Sequence, residues 1–299
     1  MIGETVIDNT VIEVRRARPL LGTLVEMTAA GESQAAVMRA IDAGFAAVAQ
    51  VEALMSFHDR HSELSRLNRF AHRTSLRVHP WTWDVLRCAQ RISDATNGLF
   101  DISIGHELVR MGYLPRPSSA RRNITGNFRD IELLPGHRVR FRRPLCIDLG
   151  GIAKGYAVDR AVAHLRKSGA ASGIVNAGGD LRVFGPLPRR VHLRDPADPG
   201  TLISFADLTS GALATSAAYF SRARWRGQTV TPLVHGRRRH SADTAFSVSV
   251  AAPTCMLADA LTKVGLLRGP TARGIVRRLG GAMFILAPQA TPSGLNTAA

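Results

Sequence analysis

Apolar residues recur at helical spacing through an Ala-rich run over residues 33–55, and Ser33 stands where an N-cap belongs, so the pattern predicts a long amphipathic helix. Before it, residues 19–27 (Pro-Leu-Leu-Gly-Thr-Leu-Val-Glu-Met) read as a strand, and residues 1–18 as an irregular lead-in. Residues 62–68 predict a short polar turn of helix, and residues 81–96 a second amphipathic helix that Asn97-Gly98 ends. Leu99 to Gly105 turns into the next segment. Residues 115–143 are rich in Pro, Arg, Ser and Asn and read as a surface excursion carrying one short strand.

Residues 145–149 (Leu-Cys-Ile-Asp-Leu) read as a strand running into Gly150-Gly151, with a helix over 153–168 behind it. Residues 174–180 give another strand ending in a glycine pair, followed by strands near Val191, Ile203, Leu213 and Val248. Helices at 256–267 and 271–279 and a strand at 282–287 complete the pattern. Strand runs mix with helices without regular βαβ alternation, which predicts an α+β fold: a single mixed domain of antiparallel strands and packed helices. The expected organisation is a lead-in at 1–14, one domain over 15–289 and a disordered tail at 290–299.

Composition adds little to the fold and more to the chemistry. The chain has 299 residues, 45% hydrophobic and 21% charged, with a formal net charge of +16. No apolar run approaches the roughly 18 residues of a membrane span, and the N-terminus lacks a secretory pattern, so a cytoplasmic location is expected. Three scattered cysteines indicate neither a disulfide framework nor a zinc site. The arginines cluster at loops and strand ends without interleaved aromatics, which argues against a specific nucleic-acid partner.

Three lysines stand among the 39 basic residues, and two of them lie in the densest motifs: Lys154 in Asp148-Leu149-Gly150-Gly151-Ile152-Ala153-Lys154-Gly155, and Lys263 in Ala258-Asp259-Ala260-Leu261-Thr262-Lys263. An ammonium is a compact point charge where a guanidinium is a planar fork. Asp148 precedes paired glycines at the start of a helix, where backbone N–H groups favour a phosphate and Lys154 reaches the same anion. A tight packing turn is the alternative reading of Gly150-Gly151. A second pair, Gly178-Gly179, also flanked by aspartate, strengthens the case for a diphosphate-bearing ligand.

These segments resemble the signature of the ApbE family, the FAD:protein FMN transferases. The resemblance extends in order through Leu21-Gly22-Thr23, Met55-Ser56-Phe57, Ser62 to Asn68, Gly98-Leu99-Phe100-Asp101, Asn176-Ala177-Gly178-Gly179-Asp180, Ala214-Thr215-Ser216 and Ala258-Asp259-Ala260-Leu261, over roughly residues 15–288. It implies an ApbE-like (T-fold-like) domain that cleaves the diphosphate of FAD with Mg²⁺, transfers FMN to a Ser or Thr of an acceptor flavoprotein, and releases AMP. By the same resemblance Leu21, Leu99, Phe100 and Asp101 line the flavin or adenosine pocket, Asp148 and Lys154 contact FAD, and Val234 lies beside the ligand on a strand. Gly151 is expected to lend a carbonyl, and Asp259 and Thr262 side-chain oxygens, to the Mg²⁺.

Two segments depart from the family pattern. Relatives carry Asp, then Ser, Thr, Ala or Asp, then Thr at offsets 0, 3 and 4 of one helix; here these are Asp259, Thr262 and Lys263. Lys263 either lowers metal affinity, stands in for part of the metal's charge, or pairs with Asp259 as an ordinary i,i+4 ion pair. In Thr231-Pro232-Leu233-Val234-His235-Gly236, Pro232 occupies the place of the family histidine. His235 is then the candidate base for the accepting hydroxyl, with a surface histidine as the alternative. These departures keep two other readings open, an FAD pyrophosphatase and an FAD-binding protein with reduced catalytic apparatus.

Overall fold

The computed structural model describes residues 11–116, 126–198 and 200–288. Its strands are β1 (Ile12–Leu20), β2 (Thr23–Gly31), β3 (Leu76–Arg77), β4 (Ile131–Leu134), β5 (Arg138–Phe141), β6 (Ser172–Ala177) and β7 (Asp180–Phe184). They continue with β8 (Arg189–Arg194), β9 (Leu202–Leu208), β10 (Gly211–Ala217), β11 (Ala223–Trp225), β12 (Gln228–Val230), β13 (Ser247–Ala252) and β14 (Ala282–Leu286). The helices are α1 (Gln34–Met55), α2 (Glu63–Phe70), α3 (Pro80–Ala95), α4 (Gly105–Arg110), α5 (Ala153–Lys167), α6 (Cys255–Arg268) and α7 (Arg273–Arg278).

The architecture is α+β, as expected. One sheet runs in the order β1-β2-β6-β7-β10-β13-β14 with every neighbouring pair antiparallel. Three helices cover one face. α1 buries the 3.6-period stripe Val37, Ile41, Phe45, Val48 and Val51, and its start is fixed by Ser33, whose hydroxyl accepts from Ala36 N–H. α6 is buried nearly all round, as a central helix must be. On the other face the β8–β9 hairpin closes a smaller core of Leu181, Val183, Val191, Leu193 and Leu213.

α5 and α6 cap each other. The Asp159 carboxylate on α5 accepts the Cys255 and Met256 N–H groups at 2.9 Å each, and Asp259 Oδ2 on α6 accepts the Gly155 N–H at 3.0 Å. Each helix start has unpaired N–H groups, and a carboxylate satisfies them while favouring the positive end of the helix dipole. The helices approach so closely that a β-carbon on Gly155 would stand 2.2 Å from the Cys255 carbonyl oxygen. Gly155→Ala is therefore expected to cost about 2 kcal/mol or more through overpacking against rigid backbone. Chemical denaturation checks this; a wild-type midpoint would mean the helices are free to move apart.

Three expectations need correcting. Residues 12–18, expected to be irregular lead-in, join Pro19 and Leu20 in β1, an edge strand whose Arg15, Arg16 and Arg18 are exposed and whose Val14 alone is buried, and the strand expected over 19–27 is broken at Leu21-Gly22 into β1 and β2. Edge strands tolerate charge and proline, here Pro19, because one side of the ladder stays unpaired. Residues 145–149 are extended but belong to no sheet. The Ile147 backbone exchanges hydrogen bonds with the Asn68 side-chain amide, and Asp148 N–H donates to Ile102 O. Residues 115–143 hold two strands, β4 and β5, among the described residues. The tail expected at 290–299 lies outside them.

Candidate active site

A cavity of about 660 Å³ opens between the β1–β2 turn, the C-terminal end of α1, the first turn of α5 and the loop before Val234. Its walls are largely apolar: Leu21, Val51, Met55, Phe57, Phe100, Leu233 and Val234. Leu21 sits at φ +58 beside Gly22 at φ +69, a two-residue turn that demands positive φ at both positions and matches strand twist. A leucine in that region is uncommon, and here the turn holds its side chain at the cavity rim while its N–H donates to Glu52 Oε1 at 3.0 Å.

The floor is polar and charged. Gly150, Gly151, Lys154, Gly178, Thr215, Ser216 and Lys263 face the cavity. Lys154 Nζ lies 2.9 Å from Asp180 Oδ2, and Lys263 Nζ pairs with Asp259 Oδ1 one helical turn back. Both carboxylates are fully buried, whereas the lysine side chains are 34% and 20% exposed, so the ammoniums stand between the acids and the cavity. Asp180 raises the Lys154 ammonium above its usual range, overcoming desolvation. Burial alone opposes ionisation of Asp259, but the Lys263 and Lys154 ammoniums outweigh it and hold the carboxyl below the usual range. At Asp180 burial and the neighbouring Asp259 charge prevail over Lys154, and its carboxyl is raised.

A hydroxyl chain links β10 to α6. The single Thr262 hydroxyl hydrogen goes to the Asp259 carbonyl at 2.7 Å, so Ser216 must donate to Thr262 Oγ1 across their 2.8 Å contact. That leaves the Ser216 oxygen to accept from Lys263 Nζ at 3.0 Å. Lys263 thus spends two of its three N–H groups on the protein, and Lys154 one.

Of the predicted residues, the cavity gathers Leu21, Phe100, Asp101, Asp148, Gly151, Lys154 and Val234. Asp148 is half-buried, its Oδ2 accepts the Gly150 N–H at 3.0 Å, and burial raises its carboxyl. Asp101 is committed to structure: its oxygens accept from Ser103 N–H and Arg239 Nη2, and burial raises it against the pull of Arg239. Leu99 is buried beside the cavity and accepts the Gly236 N–H, which anchors the loop carrying Val234. Val234 itself makes one isolated bridge to Ser241 and is not on a strand. Asp259 and Thr262 lie behind the floor.

His235 does not line the cavity. Its ring stacks on His240 with centroids 5.6 Å apart, and its Nδ1 accepts the Arg238 N–H at 3.3 Å. Partial burial and Arg238 lower its pKa, so it is neutral near neutral pH, with its proton on Nε2 in this arrangement. The histidine that does line the cavity is His58, which the sequence reading missed; it is exposed and its charge acts on the Asp148 carboxyl. Ser216 was also passed over as a separate contributor. Gly178-Gly179 forms the two-residue β6–β7 hairpin, with φ +62 and +99, and Gly178 faces the cavity.

The ApbE family profile matches residues 21–285. The chain belongs to the ApbE family. Among relatives of this ApbE chain, a Vibrio cholerae protein named FAD:protein FMN transferase is 29% identical over 245 residues, 76% of this chain and 72% of that protein. A protein of the same name from Escherichia coli is 26% identical over 258 residues, 78% of this chain and 72% of that one. The solved ApbE protein of Thermotoga maritima superposes with a TM-score of 0.79 at 25% identity, covering 93% of this chain and 97% of that one. The apo flavinyl transferase ApbE of Pseudomonas stutzeri shares the fold, with a TM-score of 0.78 at 19% identity and coverage of 94% and 92%.

The Mg²⁺ implied by the family does not fit the donors expected for it here. Asp259 Oδ1 is taken by Lys263 and Oδ2 by the Gly155 N–H, and the Thr262 hydroxyl is spent on the Asp259 carbonyl and Ser216. Among the described residues no group of three or more His, Cys, Asp or Glu is arranged to hold a metal. No helix there is long and apolar enough to cross a membrane.

Proposed function

We propose that this chain is an FAD:protein FMN transferase: it cleaves the diphosphate of FAD, attaches FMN to a Ser or Thr hydroxyl of an acceptor flavoprotein, and releases AMP. The observation that carries this reading is one cavity joining an apolar wall, suited to the flavin and adenine rings, to a floor of two lysines and backbone N–H groups suited to a diphosphate. Family membership supports the same chemistry. In this reading Lys154 and the Gly151 N–H hold phosphate oxygens, Leu21 and Phe100 hold a ring, and Asp259 orients Lys263. Incubation with FAD and an acceptor flavoprotein tests it, with AMP release and covalent flavin fluorescence on a denaturing gel as readouts. Neither signal with any acceptor would reject it.

Pro232 at the cavity supports a second reading, hydrolysis of FAD to FMN and AMP. Proline takes no proton, so activation of an acceptor hydroxyl falls to another group, and water is an acceptor that needs no docking. AMP release without covalent flavin would select this second reading.

The proton acceptor in the first reading is His58 rather than His235, because His58 faces the cavity and the free lone pair of His235 is already used. His58→Gln should lower transfer about a hundredfold, the low end for a general base, while FAD affinity holds. His235→Ala should leave both near wild type. The opposite ranking would put the base at His235.

A further inference from the structure

Lys263 stands where the expected metal donors converge. Its Cε lies 3.7 Å from where a β-carbon on Gly151 would stand, its ammonium pairs with Asp259 Oδ1, and its Nζ is 3.0 Å from Ser216 Oγ. We propose that the Lys263 ammonium is the built-in cation of the diphosphate subsite, so that this chain binds and cleaves its dinucleotide without a divalent metal ion. The inference rests on the transferase reading and says which charge performs it.

A divalent ion seated on Asp259 would have to displace Lys263 from Oδ1 and remain within a few ångströms of a second positive charge. Magnesium also demands near-octahedral oxygens at about 2.1 Å, and here both Asp259 oxygens and the Thr262 hydroxyl are already engaged. Displacing the ammonium would separate a fully buried carboxylate from its partner. Lys263 is instead fixed by two acceptors, and its side chain lines the cavity.

Pairing with Asp259 and Asp180 balances the charge of the two lysines without hiding them. The acids are 0% exposed and the ammoniums reach the cavity, so an approaching diphosphate meets the positive ends first. In the transfer, the acceptor hydroxyl oxygen bonds to the FMN phosphorus and the bond from that phosphorus to the bridging oxygen breaks. AMP leaves with the electron pair, and the hydroxyl proton passes to His58, which faces the same cavity. Ammonium N–H groups from Lys154 and Lys263 meet the charge that grows on the AMP phosphate.

Two measurements on the wild-type protein decide the matter. The first titrates metal-stripped protein alone with Mn²⁺, followed by electron paramagnetic resonance; no binding at micromolar to low millimolar metal is expected. The second measures FAD affinity and AMP release with excess chelator and again with Mg²⁺, and both are expected to be the same within error. Stoichiometric Mn²⁺ binding, or a loss of about tenfold or more on chelation that Mg²⁺ restores, overturns the proposal. Failure to bind FAD under either condition would sink the transferase reading, while the Mn²⁺ titration would still decide the cation. Lys263→Thr should acquire a Mg²⁺ requirement. Lys263→Gln, which keeps hydrogen bonds to Asp259 and Ser216 but removes the charge, should lose FAD affinity with or without Mg²⁺. FAD affinity unchanged in Lys263→Gln would also overturn it.

Discussion

Lys154→Ala is expected to weaken FAD binding several-hundredfold while riboflavin binding stays within a few-fold of wild type. Lys154 keeps two N–H groups free of protein partners, and charge-assisted bonds to phosphate contribute about 1.5–3 kcal/mol each. Two of them, discounted for partial exposure, make about 3–4 kcal/mol, or roughly 150- to 900-fold. Riboflavin lacks the diphosphate and therefore serves as a control on folding, which matters because the mutation strips buried Asp180 of its partner. Asp180 meets that loss by taking up a proton, the direction in which burial and the neighbouring Asp259 charge already push its carboxyl. Parallel titrations of the two ligands by flavin fluorescence give the answer; equal losses would remove Lys154 from the phosphate.

The helices were legible because their signals are local. Ser33 caps α1 as the pattern indicates, the short helix expected over 62–68 forms with Ser62 as its cap, and the stripe of α1 is a matter of spacing alone. β1 was hidden because an edge strand needs no alternating apolar face, and Arg15, Arg16 and Arg18 read as loop. Residues 145–149 have strand composition, but where they bond is decided by Asn68, 79 residues away from Ile147. Glycine pairs carry the same letters in two geometries: Gly150-Gly151 opens a helix at the cavity floor, and Gly178-Gly179 closes a hairpin.

The site divides along the same line. The Asp259–Lys263 pair could be read from i,i+4 spacing, and of the three roles left open for Lys263 the structure shows the ion pair directly. Lys154–Asp180 could not, since it depends on the β6–β7 hairpin folding back beside α5. His58 carried no motif signal because its role depends on how residues 56–58, just past the end of α1, meet Asp148. His235 was promoted by proximity to Pro232 in sequence, whereas the loop turns its ring onto His240.

Asp259→Ala should destabilise the protein by about 3–5 kcal/mol, the cost of leaving one member of a buried ion pair uncompensated. This differs from what a carboxylate serving only as a metal ligand would do, which is to lose activity while keeping its fold. Asp259 is fully buried and holds Lys263 and the Gly155 N–H together, so its removal frees a charge and uncaps α5. The double variant Asp259→Leu/Lys263→Met should recover most of the stability, because an apolar pair of similar volume needs no compensation. The sign of the pH dependence supplies an internal check. The Asp259 carboxyl is held below its ordinary value near 3.8, so its contribution is complete above that pH and is lost as pH falls toward its depressed value. Asp180, raised instead, acts oppositely: stability falls as pH climbs from 3.8 through its raised value. Urea denaturation from pH 3 to 7 should therefore show an acid-side loss in wild type that Asp259→Ala lacks. Equal acid sensitivity in the two proteins, or a single variant as stable as wild type, would show that the Asp259–Lys263 pair does not stabilise the fold.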